Sequence, residues 1–181
     1  MNADEFAAIF DTEVRHPLAT AGFRSSGKSL FHTDGFGCLS LIRLGGRLAA
    51  PGGISHVLCF RHTFLRTLDE TTPRGFVSEV FAYPYKFLLA DFSATKPPPY
   101  RPRNLNYDYD RFEFDGISAA MLRDRLRHLR STLIERAVPW VRRVSPRLAA
   151  DEIRRHGEDA WIERIWLLDY SAHLSNATGN A

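Results

Sequence analysis

Apolar positions at the start of the chain recur at three- and four-residue spacing. Phe6, Ile9, Phe10, Val14 and Leu18 line one face of a helix predicted over Ala3–Ala21. Asp4 and Glu5 stand in its first turn, where carboxylates favour the helix dipole. Pro17 is expected to kink or interrupt the last turn. Gly22 follows where a helix commonly stops, and Phe23 can fold back on the helix end. The period then changes to two. Lys28–His32 and Phe36–Leu44, joined through Asp34-Gly35, predict a β-hairpin ending at Gly45-Gly46. Leu48–Gly53 reads as a loop of small residues. Ser55–Leu65 is the clearest strand, with Val57 and Cys59 on one face and Leu58, Phe60 and His62 on the other. Arg66–Gly75 is a polar link. Phe76–Phe92 predicts a strand or two, with Pro84 marking a bulge, edge or break.

Lys96–Arg103 holds Pro97, Pro98, Pro99 and Pro102 and predicts a polyproline-like connector. Tyr107–Asp115 alternates aromatic and acidic residues, as an edge strand does. From Ile117 the helical period returns through Ala119, Leu122, Leu126, Leu129, Leu133 and Ala137 to Pro139. Ser145-Pro146 opens a short helix to His156-Gly157, with serine as cap and proline in the first turn. Trp161, Ile165, Leu168 and Ala172 predict a last helix, followed by a flexible tail over Ser175–Ala181. Strands and helices are grouped, not alternated. That predicts one α+β domain over 1–174, divided into 1–115 and 116–174. An N-terminal helix, an antiparallel sheet of about four to six strands and two or three C-terminal helices on one face make it up.

Composition narrows the picture without identifying a function. The chain has 181 residues, suited to one domain, with 44% hydrophobic and 25% charged side chains. A net charge of +3 is far from that of a dedicated nucleic-acid-binding arm, so nucleic acid is not the favoured partner. Only three of the 24 basic residues are lysines, a bias that fits a GC-rich bacterial genome and carboxylate or phosphate recognition. Cys38 and Cys59 lie in apolar segments outside any C-x-x-C pattern and are expected to be buried thiols. Acidic residues occupy the N-terminus where a secretion signal needs positive charge, and no apolar run reaches membrane-spanning length. A cytoplasmic location is the expectation.

Several motifs invite chemistry. Gly22-Phe23-Arg24-Ser25-Ser26-Gly27-Lys28-Ser29 matches the phosphate-loop pattern G-x-x-x-x-G-K-[ST], and Phe87-Leu88-Leu89-Ala90-Asp91 resembles the acidic strand end that accompanies it. A nucleotide-binding enzyme using Gly22, Gly27, Lys28, Ser29 and Asp91 is therefore the alternative reading. A phosphate loop, however, follows a strand and runs into a helix. Here a helix precedes the motif and Asp34-Gly35 soon follows it. His56 and His62 share a strand face but stand about 20 Å apart along an extended chain, too far to hold one metal. Asp108, Asp110, Glu113 and Asp115 fail the calcium-loop spacing at Phe112 and Glu113. No metal or cofactor is expected. Pro97-Pro98-Pro99-Tyr100 matches the P-P-x-Y ligand of WW domains, read as a stiff loop if the source is bacterial. Tyr100, Tyr107, Tyr109 and Phe112, with an arginine stripe of Arg123, Arg127 and Arg130, are the candidate protein-binding surfaces. No activated serine or cysteine and no dinucleotide-binding glycine pattern is present.

A first helix closed by Gly22-Phe23 and a polar turn into Leu30-Phe31 precede the His56–His62 strand. Ala137-Val138-Pro139-Trp140, Arg147-Leu148-Ala149 and Ala160-Trp161 follow in the helices. Together they resemble the bacterial domain-of-unknown-function family numbered forty-three oh-four, over most of the chain. The resemblance implies that the glycine–phenylalanine pair ends the first helix. It carries no activity and no catalytic residues. The expected function is a cytoplasmic protein-binding module without catalysis, of the immunity or antitoxin type.

Overall fold

The computed structural model describes residues 1–45, 52–92, 100 and 109–178. Its first helix opens on a reciprocal cap. The Asn2 side chain accepts from the N–H groups of Asp4 and Glu5, and Glu5 accepts from the Asn2 N–H. Helix α1 (Ala3–Phe10) passes through a π-helical turn, Asp11–Arg15, into α2 (His16–Thr20). Pro17 therefore does not break the rod. The π turn absorbs the extra backbone, and the Glu13 carbonyl, which an N–H at residue 17 would have filled, accepts from Arg130 Nη1 at 3.3 Å. Gly22 ends the helix at φ +88°, and the Phe23 N–H returns to the Leu18 carbonyl.

Strands β1 (Arg24–Ser26), β2 (Ser29–Thr33), β3 (Gly37–Arg43) and β4 (Gly53–His62) follow as an antiparallel meander, and β5 (Tyr85–Phe87) and β6 (Asp110–Glu113) complete the sheet. The long β4 organises everything. One edge pairs with β3 over seven positions; the other is shared, Leu58–Phe60 with β5 and Gly53–His56 with β6. Alternation along β4 divides two cores. Ile54, Leu58 and Phe60 face the helices, and Val57 and Cys59 pack on the opposite face against Ile42, Val80 and Tyr83.

The second half is helical. The α3 helix (Ala119–Thr132) runs through another π turn, Leu133–Ala137, into α4 (Val138–Val141). Pro139 stands just beyond that turn, the arrangement already seen at Pro17. Ser145 caps α5 (Pro146–His156) by accepting the Leu148 N–H, and α6 (Trp161–Thr178) packs on α5. Leu122, Leu126, Leu129, Leu133, Ile162, Trp166 and Tyr170 are fully buried over the sheet, each large apolar side chain contributing about 1.5–3 kcal/mol. The architecture is α+β.

Besides the unbroken helix at Pro17 and the short strand β1, three elements differ from the sequence expectation. Within Phe76–Phe92 only Tyr85–Phe87 is a strand; Val80–Ala82 and Leu89–Phe92 are 3-10 turns. The last strand is shortened to Asp110–Glu113. Helix α6 continues through Thr178, so Ser175–Thr178 is its last turn and not part of a tail. The Lys96–Arg103 connector, apart from Tyr100, and most of the Leu48–Gly53 loop lie outside the described residues.

Candidate functional site

The phosphate-loop-like stretch is a helix stop followed by a β-hairpin. Ser26 pairs with Ser29 across a two-residue turn at Gly27 (φ +56°) and Lys28. No strand enters Gly22 and no helix leaves Lys28, so the backbone cradle that phosphates need is missing. Ser29 is buried with its Oγ accepting the Arg43 N–H at 3.1 Å, and Lys28 points to solvent. Asp91 lies in a 3-10 turn, where its carboxylate accepts the Leu88 N–H at 2.8 Å.

Of the expected protein-binding residues, Tyr100 and Phe112 turn inward, while Arg123 and Arg127 stay exposed. Tyr100 is buried, its ring edge-on to Tyr85 and its hydroxyl donating to Glu163. Glu163, itself buried, also accepts the N–H groups of Glu158 and Ala160 at the start of α6. Phe112 is a core residue edge-on to His56. Tyr109 is half-buried against the smaller core, and Tyr107 lies outside the described residues. The arginine stripe converges on one carboxylate of its own chain. Arg127 binds Glu13 through Nε at 2.9 Å and Nη2 at 3.1 Å, with Arg123 Nε at 3.7 Å.

Two buried histidines stay apart, as their spacing requires. His56 stacks on Phe10 at 5.7 Å, and burial drives its pKa down to about 3. His62 sits at the other end of β4, with Nε2 3.0 Å from the Val144 carbonyl and Nδ1 2.9 Å from the Tyr170 hydroxyl. A carbonyl only accepts, so Nε2 carries the proton and Tyr170 donates to Nδ1. Both ring nitrogens are used, and burial pushes the pKa down to about 4. This imidazole is neutral and enclosed, with no free lone pair to act as a base.

Above His62 lies an aromatic platform that was not anticipated from the sequence. Phe64 and His173 stack face to face at 4.0 Å, 4° from parallel. Phe36 stands edge-on to His62 at 5.2 Å, to His173 at 6.2 Å and to Phe64 at 6.4 Å. Phe36 remains 43% exposed. The turn that carries it is pinned. Asp34 Oδ1 accepts the N–H groups of Phe36 and Gly37, both at 3.0 Å, and the Thr63 hydroxyl donates to the Gly35 carbonyl at 2.9 Å. Gly37 lets the turn approach the Phe60 ring, where a Cβ would stand 2.4 Å from Cε2. Only Asp34-Gly35 was a visible signal; Phe64 and His173 are brought by separate elements.

The opposite face of β4 holds a closed polar cluster. The Ser40 hydroxyl lies 2.9 Å from that of Tyr83, which donates to the Val77 carbonyl, and Cys38 Sγ lies 3.4 Å from Ser40. Arg61, fully buried, donates through Nη1 to the Pro73 carbonyl at 2.8 Å and through Nη2 to the Leu65 carbonyl. Burial pushes the Cys59 thiol up to about 12 and raises Cys38, so neither is a nucleophile.

A cleft of about 250 Å³ between α5 and α6 is bordered by Ile153, Arg154, Gly157, Asp159, Arg164 and Leu167. Arg154 and Arg164 on its rim are held by Asp151 and Asp159. Among the described residues, no three His, Cys, Asp or Glu are placed to hold a metal ion, and no helix is long and apolar enough to cross a membrane. Compared with known proteins, the chain matches no family model, and neither a curated protein nor a solved structure was found to be similar to it.

Proposed function

We propose that the chain is a non-catalytic protein-binding module acting in a bacterial cytoplasm, with an immunity- or antitoxin-type inhibitor as its concrete form. The docking surface is the Phe36–Phe64–His173 platform, in place of the tyrosine and arginine surfaces expected from sequence. One observation carries this reading: Phe36 is a large exposed aromatic on a turn that is already rigid. Ordering a free phenylalanine on binding costs side-chain entropy, and a pinned ring on a stacked base avoids much of that cost. Rigid aromatics are the preferred anchors of protein interfaces for this reason. The enclosed state of His62 and the buried thiols support the absence of catalysis in the proposal.

The test is affinity capture from lysate of the source cells with wild type, Phe36→Ser and His173→Ala, melting temperatures measured in parallel. A protein held by wild type and lost in both variants, at unchanged melting temperature, supports the reading. Equal capture by all three sinks it.

A further inference from the structure

We propose that the outward face of α6 pairs with the same face of a second copy of this chain, antiparallel about a twofold axis at Leu168. Trp161 is 50% exposed and Leu168 is 64% exposed, and both belong to α6. Seven residues apart, they lie on one stripe about 10 Å from each other. Arg164, Ser171, Ala172 and Ser175, all exposed, continue that stripe, opposite the face that buries Ile162, Trp166 and Tyr170. Two large apolar side chains, Trp161 and Leu168, thus stand in water on the helix's outer face, where they are disfavoured.

The occupant follows from the order of sizes along the stripe. Bulky residues lie toward its N-terminal end and small ones toward its C-terminal end. A twofold antiparallel pairing sets Trp161 against Ser175 of the second copy, Arg164 against Ala172, and Leu168 against itself. Bulk then meets space at both ends, which close packing requires. Arg164 is the stripe's charge, and the pairing places it on alanine and not on a like charge. Asp159 also draws that guanidinium back, with Nε at 3.3 Å from its carboxylate and Nη2 at 3.2 Å from its carbonyl. A strip about 21 Å long buries on the order of 400 Å² per copy, half of what a standard stable interface buries. The dimer is therefore weak and forms at high concentration.

The experiment uses the full chain. Trp140 and Trp166 are buried, so red-shifted tryptophan emission reports Trp161. Cys38 and Cys59 are buried, so a cysteine placed on the surface crosslinks without interference. Sedimentation equilibrium should show monomer at low micromolar and dimer approaching millimolar concentration, with emission moving to the blue over the same range. Leu168→Arg should abolish both effects and Phe36→Ser neither, which separates this dimer from the docking platform. Leu168→Cys should oxidise to a disulfide-linked dimer, and Arg147→Cys, exposed on α5, should not. A monomer at every concentration overturns the proposal, as does crosslinking of Leu168→Cys no faster than the control. Blue emission independent of concentration, the mark of a segment of the same chain lying on Trp161, also overturns it.

Discussion

Glu13 and Arg127 meet as a two-pronged pair across 114 positions of sequence, Nε on Oε2 at 2.9 Å and Nη2 on Oε1 at 3.1 Å. Glu13 belongs to the π turn that carries the first helix past Pro17, and Arg127 belongs to the middle of α3. The pair joins the N-terminal helix to the helical half. Arg130 adds a hydrogen bond to the Glu13 carbonyl.

The hydrogen bonds from Arg127 hold the Glu13 carboxyl below the ordinary carboxylate range, against the burial that would raise it. A depressed carboxyl contributes stability that is present above its unfolded pKa of about 4.3 and lost as pH falls through the folded value. Glu13→Gln should therefore lower the melting temperature at pH 7, and the difference from wild type should shrink below about pH 4. A constant difference from pH 7 to pH 3 would show that the pair is not what stabilises this junction.

His56 and His62 weaken the fold on the same acid side, starting at a higher pH. Their folded pKa values, about 3 and about 4, lie below the unfolded value of 6.5, so the unfolded chain binds more protons between them. Stability should fall as pH drops from about 6.5 toward 4, by about 3 kcal/mol for each histidine. Denaturant titrations at successive pH values measure this. Tyr170→Phe, which leaves His62 Nδ1 without its donor, should cost about 1–3 kcal/mol at pH 7.

Arg61 clamps the link after β4 at two points, the Leu65 and Pro73 carbonyls. Arg61→Met removes both donors and should cost about 2–3 kcal/mol. Amide exchange should rise at Thr67, whose N–H returns to the Thr71 carbonyl within that link. Unchanged exchange there would mean that the link holds itself.

Lys28 stands in a hairpin turn, so Mg·ATP and Mg·GTP should give no binding heat with wild type, and Lys28→Ala should be indistinguishable from it. Micromolar binding that is lost in Lys28→Ala would restore the nucleotide reading.

Local pattern accounts for what was legible in the chain. The three-four spacing of Phe6 to Leu18, the Gly22-Phe23 stop, the alternation along β4 and the Ser145-Pro146 start each state a preference among neighbours a few residues apart. Those preferences suffice for the grouped α+β plan and for rejecting a phosphate cradle at Lys28. Tertiary structure decided where the side chains went. Tyr100 and Phe112 look like a free surface in one dimension, because exposure depends on what distant elements cover; Arg123 and Arg127 of the arginine stripe stay exposed but are engaged by Glu13. Only the folding of α3 against the first helix assigns Arg127 to Glu13, and only α6 gives Tyr100 its partner Glu163. The platform of Phe36, Phe64 and His173 was invisible for the same reason: its rings come from the turn before β3, the turn after β4 and the α6 helix. Phe64 and His173 are 109 positions apart in numbering, 173 against 64. Periodicity carries short-range backbone preference, whereas a binding surface is a long-range property of packing, which no local pattern encodes.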